Sequence, residues 1–218
     1  MAGGFGGKVS ASGLQLELVS LDDAAAWDPW LTADEAQRAA GMSHPVLRSR
    51  FVVSRGLRRK VLAGILGCER GELLIVEDPA AKPRLRDGRG WDFNVSHAGD
   101  YVALVVGRGE VGVDLEKIRP VRDMAAVVGR YFHPDEAAAW LALSGQEREE
   151  AFFLLWSARE AAMKCAGTGL AGGLGRTRID PEILRSDRAR GVVGTKEMIL
   201  ERETAPEGYV LVTARTVS

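Results

Sequence analysis

Asp114 and Glu116 stand two residues apart in VGVDLE, where Val111, Val113 and Leu115 alternate with Gly112, Asp114 and Glu116. A period of two is that of a β-strand, and it sends both carboxylates out of one face. Carboxylates held that close repel. A hard divalent cation would satisfy them, since magnesium takes one or two carboxylates together with phosphate and water oxygens; plain solvation on an exposed strand face would also do so. A second group lies in WSAREAAMKCAGTGL, Trp156 to Leu170, where Trp156, Glu160 and Lys164 fall at i, i+4 and i+8 and form one stripe down a helix. A core tryptophan beside an exposed Glu–Lys pair has the same spacing, and such a pair contributes only about 0.3–0.5 kcal/mol. A third group is FNVSHAGD, Phe93 to Asp100, with Lys82 and Pro83 upstream. Asn94, Ser96 and His97 there offer hydrogen-bonding groups at a strand-to-turn corner, and His97 has the chemistry either to meet a phosphate or to take a proton, or to serve structure alone. No serine, histidine and aspartate fall into a nucleophilic-triad order, so a triad hydrolase is not read.

The elements that must position these groups follow from periodicity. Leu14, Leu16 and Leu18 alternate as in a half-buried strand, and Thr32 before Asp34 and Glu35 marks a helix start. Val46 to Leu66 spaces its apolar residues helically, with Arg48, Arg50, Arg55, Arg58 and Arg59 between them, so a long amphipathic helix with a basic side is expected. Glu72 to Glu77 reads as a short strand, Asp78 to Gly90 as a loop, and Phe93 to Val95 and Tyr101 to Val106 as two strands joined by a turn. After the glycine-bearing stretch Gly107 to Glu110 comes the Val111 strand, then helices over Asp123 to Arg130, Pro134 to Leu143 and Gln146 to Cys165, the last stopped by Gly167 and Gly169. Thr195 to Glu201 and Gly208 to Thr216 read as a closing antiparallel pair. The expected fold is α+β, two similar α/β subdomains in a pseudo-twofold arrangement, each a small antiparallel sheet packed on a long helix. Its expected divisions are a flexible leader over 1–13, one subdomain over 14–108 and another over 109–218.

Composition sets outer bounds. The 218 residues are 46% hydrophobic and 27% charged, enough for one large domain or two small ones. With 29 lysines and arginines against 30 acidic residues, net charge gives no reason to expect nucleic acid or an anionic membrane as partner, so any phosphate binding must be local. Cys68 and Cys165 lack metal or redox spacing and read as reduced thiols. No run approaches the roughly 20 apolar residues of a membrane span, and MAGGFGGKVSASG lacks a secretory apolar stretch, so a cytoplasmic setting is expected.

The order and spacing of the three groups resembles that of the Sfp-type (Sfp/Gsp/HetI-like) 4′-phosphopantetheinyl transferases. Their hallmarks are a glycine-apolar-Asp-apolar-Glu strand, here GVDLE at Gly112 to Glu116, and a later Trp-Ser/Thr-x-Lys-Glu-Ala-x-x-Lys helix ending in Gly-x-Gly-Leu, here Trp156 to Leu170. Phe93 to His97 and the Lys82-Pro83 pair are also family-like, and the resemblance runs from about Leu31 to Leu170. It implies a magnesium-dependent enzyme, with manganese as a possible substitute, that moves the phosphopantetheine arm of coenzyme A onto a serine of an apo acyl or peptidyl carrier protein, releasing adenosine 3′,5′-bisphosphate. By position, Asp114, Glu116 and Glu160 would ligate the metal. Glu160 and Lys164 would be catalytic, Lys164 on a phosphate oxygen, and Glu160 or a metal-bound water the general base. Arg38, Arg50, Lys82, Pro83, Ser96, His97 and Asp114 would contact coenzyme A. Lys117, Arg119, Arg122 and Arg130 would give a positive rim for an acidic carrier helix. A monomer serving polyketide or nonribosomal peptide synthesis is the implied setting. Two positions depart from the pattern: Arg159 replaces a lysine, and Ala81 replaces a glycine before Lys82. The rival readings are a coenzyme A- or carrier-binding module without catalysis, and a magnesium-dependent nucleotide phosphohydrolase.

Overall fold

A computed structural model of the chain describes residues 8–9, 13–78 and 81–217, with backbone alone at 8, 9, 170 and 171. The first sheet contains β1 (Lys8–Val9), β2 (Gln15–Ser20), β5 (Trp91–Ala98) and β6 (Tyr101–Arg108), all antiparallel in the order β1-β2-β6-β5. Of the leader expected over 1–13, Lys8 and Val9 pair with Leu16 and Gln15, while most of the remainder lies outside the described residues. The β5–β6 hairpin turns through Gly99 and Asp100, with Gly99 at φ +51°, a value that side-chain-bearing residues rarely adopt. Helix α1 (Ala33–Ala40) starts at a reciprocal cap in which Thr32 Oγ1 accepts from the Glu35 N–H at 3.3 Å and Glu35 Oε2 accepts from the Thr32 N–H at 3.0 Å. The long helix α2 (Pro45–Leu66) packs Val53, Leu57 and Leu62 against Phe93, Val102, Leu104 and Val106 of the sheet.

The expected basic side of α2 needs correcting. Arg58 and Arg59 are buried and both pair with Glu35, Arg59 Nε at 2.7 Å and Arg58 Nη2 at 3.1 Å. Burial alone would push the Glu35 carboxyl up, but the two guanidinium groups and the Thr32 N–H hold it down at about 2. The segment from Glu72 to Glu77 is a strand only at β3 (Ile75–Val76), which pairs with β4 (Arg84–Leu85) inside the stretch expected to be loop.

The chain leaves the first sheet at Arg108, turns through Gly109 at φ +73°, and enters the second sheet at β7 (Val111–Lys117). Helices α3 (Met124–Tyr131), α4 (Pro134–Leu141) and α5 (Gly145–Ala166) follow. Strands β8 (Thr177–Ile179), β9 (Arg188–Val193), β10 (Lys196–Glu203) and β11 (Tyr209–Thr216) complete an antiparallel sheet ordered β7-β11-β10-β9-β8. The β10–β11 pair is the one expected from the alternation at the end of the sequence. Helix α5 covers this sheet, packing Leu155, Ala158 and Ala162 with Ile179, Met198, Leu200 and Val212. The fold is thus α+β, and each half lays one helix of 22 residues on an antiparallel sheet.

The two sheets meet at strands β5 and β7. Leu14, Leu16, Ala103 and Val105 of one half pack with Val111, Val113, Leu115 and Leu211 of the other. Beside this apolar seam, side-chain oxygens of β5 accept from backbone N–H groups on the free edge of β7. Asp92 Oδ2 takes Val111 N at 2.9 Å, Asn94 Oδ1 takes Val113 N at 3.0 Å, and Ser96 Oγ takes Leu115 N at 3.2 Å. An edge that would otherwise present unpaired donors is covered by three polar side chains. Among the described residues no helix is long and apolar enough to cross a membrane.

Candidate active site

The site begins with a glycine. A Cβ on Gly112 would run into the Ala161 carbonyl oxygen and stand 2.6 Å from the Cys165 nitrogen, so only glycine lets α5 lie directly on β7. Because side chains alternate along β7, the face bearing Gly112 also bears Asp114 and Glu116, and that face lies beneath α5. Ser157 on α5 ties the two together by donating to the Asp114 carbonyl at 3.1 Å.

The carboxylates are therefore not on a solvated strand face. Asp114 is only 2% exposed, and its Oδ1 accepts from Lys164 Nζ at 2.5 Å and from Ser96 Oγ at 3.0 Å. Lys164 Nζ also donates to Ser96 Oγ at 3.0 Å and lies 3.7 Å from Glu160 Oε2. Asp114 Oδ2 is buried with no hydrogen-bond partner among the described residues. Burial pushes the Glu160 carboxyl up, Asp114 and Glu116 push it further, and Lys164 and the Trp156 N–H only partly resist, which leaves it at about 7. Glu116 is also raised, first by burial and then by Asp114, against the pull of Arg119 at 3.1 Å and of Lys164.

Three crowded carboxylates and an orphaned buried oxygen form a donor set short of positive charge, and a hard divalent cation fits it. Among the described residues, no three histidine, cysteine, aspartate or glutamate groups close into a metal cage by themselves. Asp114, Glu116 and Glu160 would hold such an ion in the open manner usual for magnesium, sharing it with phosphate and water oxygens.

Next to this group lies a cleft of about 480 Å³ between α2 and β5, whose lining includes Arg50, Ser54, Arg55, Arg58, Pro83 and His97. His97 is exposed on the cleft wall. Desolvation by the surrounding protein holds its imidazole below its ordinary value, and the Arg50 and Lys164 cations hold it lower still. Arg50 donates from Nη2 to the Gly99 carbonyl at 3.3 Å, while its buried Nε lacks a partner among the described residues. Arg38 is not part of the cleft lining; its guanidinium lies 5.3 Å from the centroid of the Phe51 ring, which is part of it.

Lys82 is not brought to this group. Its ammonium is engaged by the Asp92 carboxylate and, at 2.6 Å, by the Val111 carbonyl, at the opposite end of the β5–β7 seam from Ser96. Of the basic rim, Lys117 pairs with Asp100 at 3.3 Å and Arg119 pairs with Glu116, while Arg122 and Arg130 are exposed. Arg159, where the family pattern has lysine, faces the interior: its buried guanidinium meets Glu136 Oε2 at 2.5 Å and the carbonyls of Leu174 and Thr177 at 2.8 and 3.0 Å. Neither Glu136 nor Ser157 was singled out from sequence. Trp156 stacks in an aromatic group with Phe132 and Phe152, at centroid distances of 6.5 and 6.4 Å. Cys68 and Cys165 are free thiols, and burial pushes that of Cys165 up to about 12.

Residues 110–212 match the family described as 4′-phosphopantetheinyl transferase superfamily, and residues 29–108 match 4′-phosphopantetheinyl transferase, N-terminal. The chain belongs to the 4′-phosphopantetheinyl transferase superfamily. It is 34% identical over 145 residues to the 4′-phosphopantetheinyl transferase HetI of Nostoc sp., a match covering 65% of this chain and 61% of that protein. The 4′-phosphopantetheinyl transferase psf-1 of Bacillus pumilus is 29% identical over 146 residues, covering 67% of this chain and 62% of its own. For the 4′-phosphopantetheinyl transferase Sfp of Bacillus subtilis the identity is 24% over 142 residues, covering 65% and 62%. The chain thus spans a little over three fifths of the length of these relatives.

Proposed function

We propose that this protein transfers the 4′-phosphopantetheine arm of coenzyme A to a serine of an apo acyl or peptidyl carrier protein. The observation that carries this reading is the convergence of Asp114, Glu116, Glu160 and Lys164 beside an arginine-lined cleft. The cleft suits the nucleotide end of coenzyme A, with Arg50, Pro83 and His97 on its walls and Arg38 against Phe51. Lys82 would join those contacts only by leaving Asp92.

The carrier serine oxygen forms a bond to the β-phosphorus as the bond from that phosphorus to the bridging oxygen breaks, and adenosine 3′,5′-bisphosphate leaves with the bridging oxygen. The serine proton passes to a carboxylate oxygen of Glu160. Lys164 has three N–H donors; Asp114 and Ser96 take two, and the third is available to a phosphate oxygen. Asp114, Glu116 and Glu160 would hold a magnesium or manganese ion, which would supply charge neutralisation. The setting that goes with this reading is a cytoplasmic monomer with no nucleic-acid or membrane partner.

Mass spectrometry of apo carrier proteins incubated with the protein, coenzyme A and magnesium tests the reading. The expected result is one added phosphopantetheine arm together with bisphosphate release that depends on the carrier. Bisphosphate release from coenzyme A alone would make the protein a phosphohydrolase, and tight binding with no release would make it a non-catalytic module.

A further inference from the structure

Ser96 stands where the family resemblance implies a contact to coenzyme A, yet its hydroxyl has no capacity for one. A serine hydroxyl has one donor and two acceptor lone pairs. Here the donor goes to Asp114 Oδ1 at 3.0 Å, and the lone pairs take the Leu115 N–H at 3.2 Å and the Lys164 ammonium at 3.0 Å. The side chain is buried at the β5–β7 seam rather than exposed to the cleft, and it is absent from the cleft lining.

What this hydroxyl does is fix one carboxylate. The terminal torsion of an aspartate is soft and nearly two-fold, so an unrestrained carboxylate exchanges its oxygens or tilts between orientations. Ser96 and Lys164 both bind Oδ1, which leaves Oδ2 buried and without a hydrogen-bond partner among the described residues. Ser96 belongs to the first sheet and Asp114 to the second, so the orientation of Asp114 is set from across the seam.

We infer that Ser96 is a positioning residue for the divalent-cation site: it engages Oδ1 of Asp114 so that Oδ2 is presented to the ion. This rests on the metal reading given under Proposed function. Loss of an outer partner of a metal ligand weakens metal affinity about 10–100-fold.

The test is manganese binding followed by electron paramagnetic resonance on the full chain without coenzyme A, beside KM for coenzyme A in the transfer assay. Ser96→Ala is expected to weaken manganese binding by about tenfold. Asn94→Ala loses the equivalent β5-to-β7 bond, to Val113, but touches no carboxylate of the site; it is expected to melt lower and to keep its manganese affinity within about twofold. Unchanged manganese affinity in Ser96→Ala with a raised KM for coenzyme A would make Ser96 a substrate contact and overturn the inference. So would equal losses of affinity in both variants, which would make the effect one of seam stability alone. If Ser96→Ala does not fold, Ser96→Thr and Ser96→Val, alike in shape, replace it: tight binding in the first and weak binding in the second supports the inference, and equal binding sinks it. A wild-type protein that binds no manganese overturns the metal reading itself, and the inference with it.

Discussion

Helix α5 carries a buried and a half-buried charged group on neighbouring residues, and they differ in balance. Arg159 meets one carboxylate, Glu136, whose other oxygen accepts the Ile179 N–H at 2.7 Å, so charge is matched one to one. One residue on, Glu160 joins Asp114 and Glu116, three carboxylates against the Lys164 ammonium and the exposed Arg119 guanidinium, and one oxygen of Asp114 has no partner among the described residues. A matched pair explains itself as structure, since each charge answers the burial of the other. An unmatched group does not, because burying surplus charge costs stability and persists where something else answers it. Charge balance thus separates the residue that braces the helix from the candidates for chemistry, which the adjacent letters R and E cannot do.

The sharpest way to break this comparison is Glu160→Gln. Transfer to a carrier is expected to fall by about 10²–10⁴-fold, with the melting temperature in metal-free buffer unchanged or higher, since a repelled carboxylate has gone; retained turnover, measured by bisphosphate release, would remove Glu160 from the chemistry. Arg159→Met should do the reverse. It leaves Glu136 buried and unpaired, so stability measured in urea is expected to fall by about 3–5 kcal/mol, and a loss below about 1 kcal/mol would show that the pair is not buried in solution.

The smallest effect is a slope. Glu160 has its folded-state pKa raised to about 7, above the ordinary 4.5, so the folded protein holds a proton there that the unfolded chain releases. Stability in metal-free buffer should therefore decline as pH rises from about 4.5 to about 7 and level off beyond, a trend Glu116 reinforces because its carboxyl is raised too. Melting temperatures across that range should show the slope in wild type and a shallower one in Glu160→Gln. An equal slope in both would place the surplus charge elsewhere.

Much of this was legible in the sequence, for local reasons. Alternation at Val111 to Glu116 and helical spacing at Trp156 to Lys164 put Asp114, Glu116, Glu160 and Lys164 on the right elements and faces. The start of α4 followed from Pro134 and the end of α5 from Gly167. What failed to show depended on partners distant in sequence. Arg58 and Arg59 read as part of a basic side because Glu35, 23 and 24 residues away, gives no local sign that it will pair with them. Lys82 is engaged by Asp92 and by a carbonyl of the other sheet, partners that its neighbours in sequence do not announce. Strands β8 and β9 were missed because charged residues and glycine interrupt RARGVV and only three residues pair in TRI. Arg159 matched the family pattern in charge, but its spacing could not reveal that it faces the interior.

Gly112 has a mechanical consequence. Helix α5 rests on main-chain atoms at that point and not on a side chain that could be exchanged for a larger or smaller one. The standoff between the acidic strand and the helix bearing Glu160 and Lys164 is therefore set by backbone thickness. Drift in the hydrophobic filling of the second sheet can alter how firmly the helix is held, while the gauge between those groups stays the same.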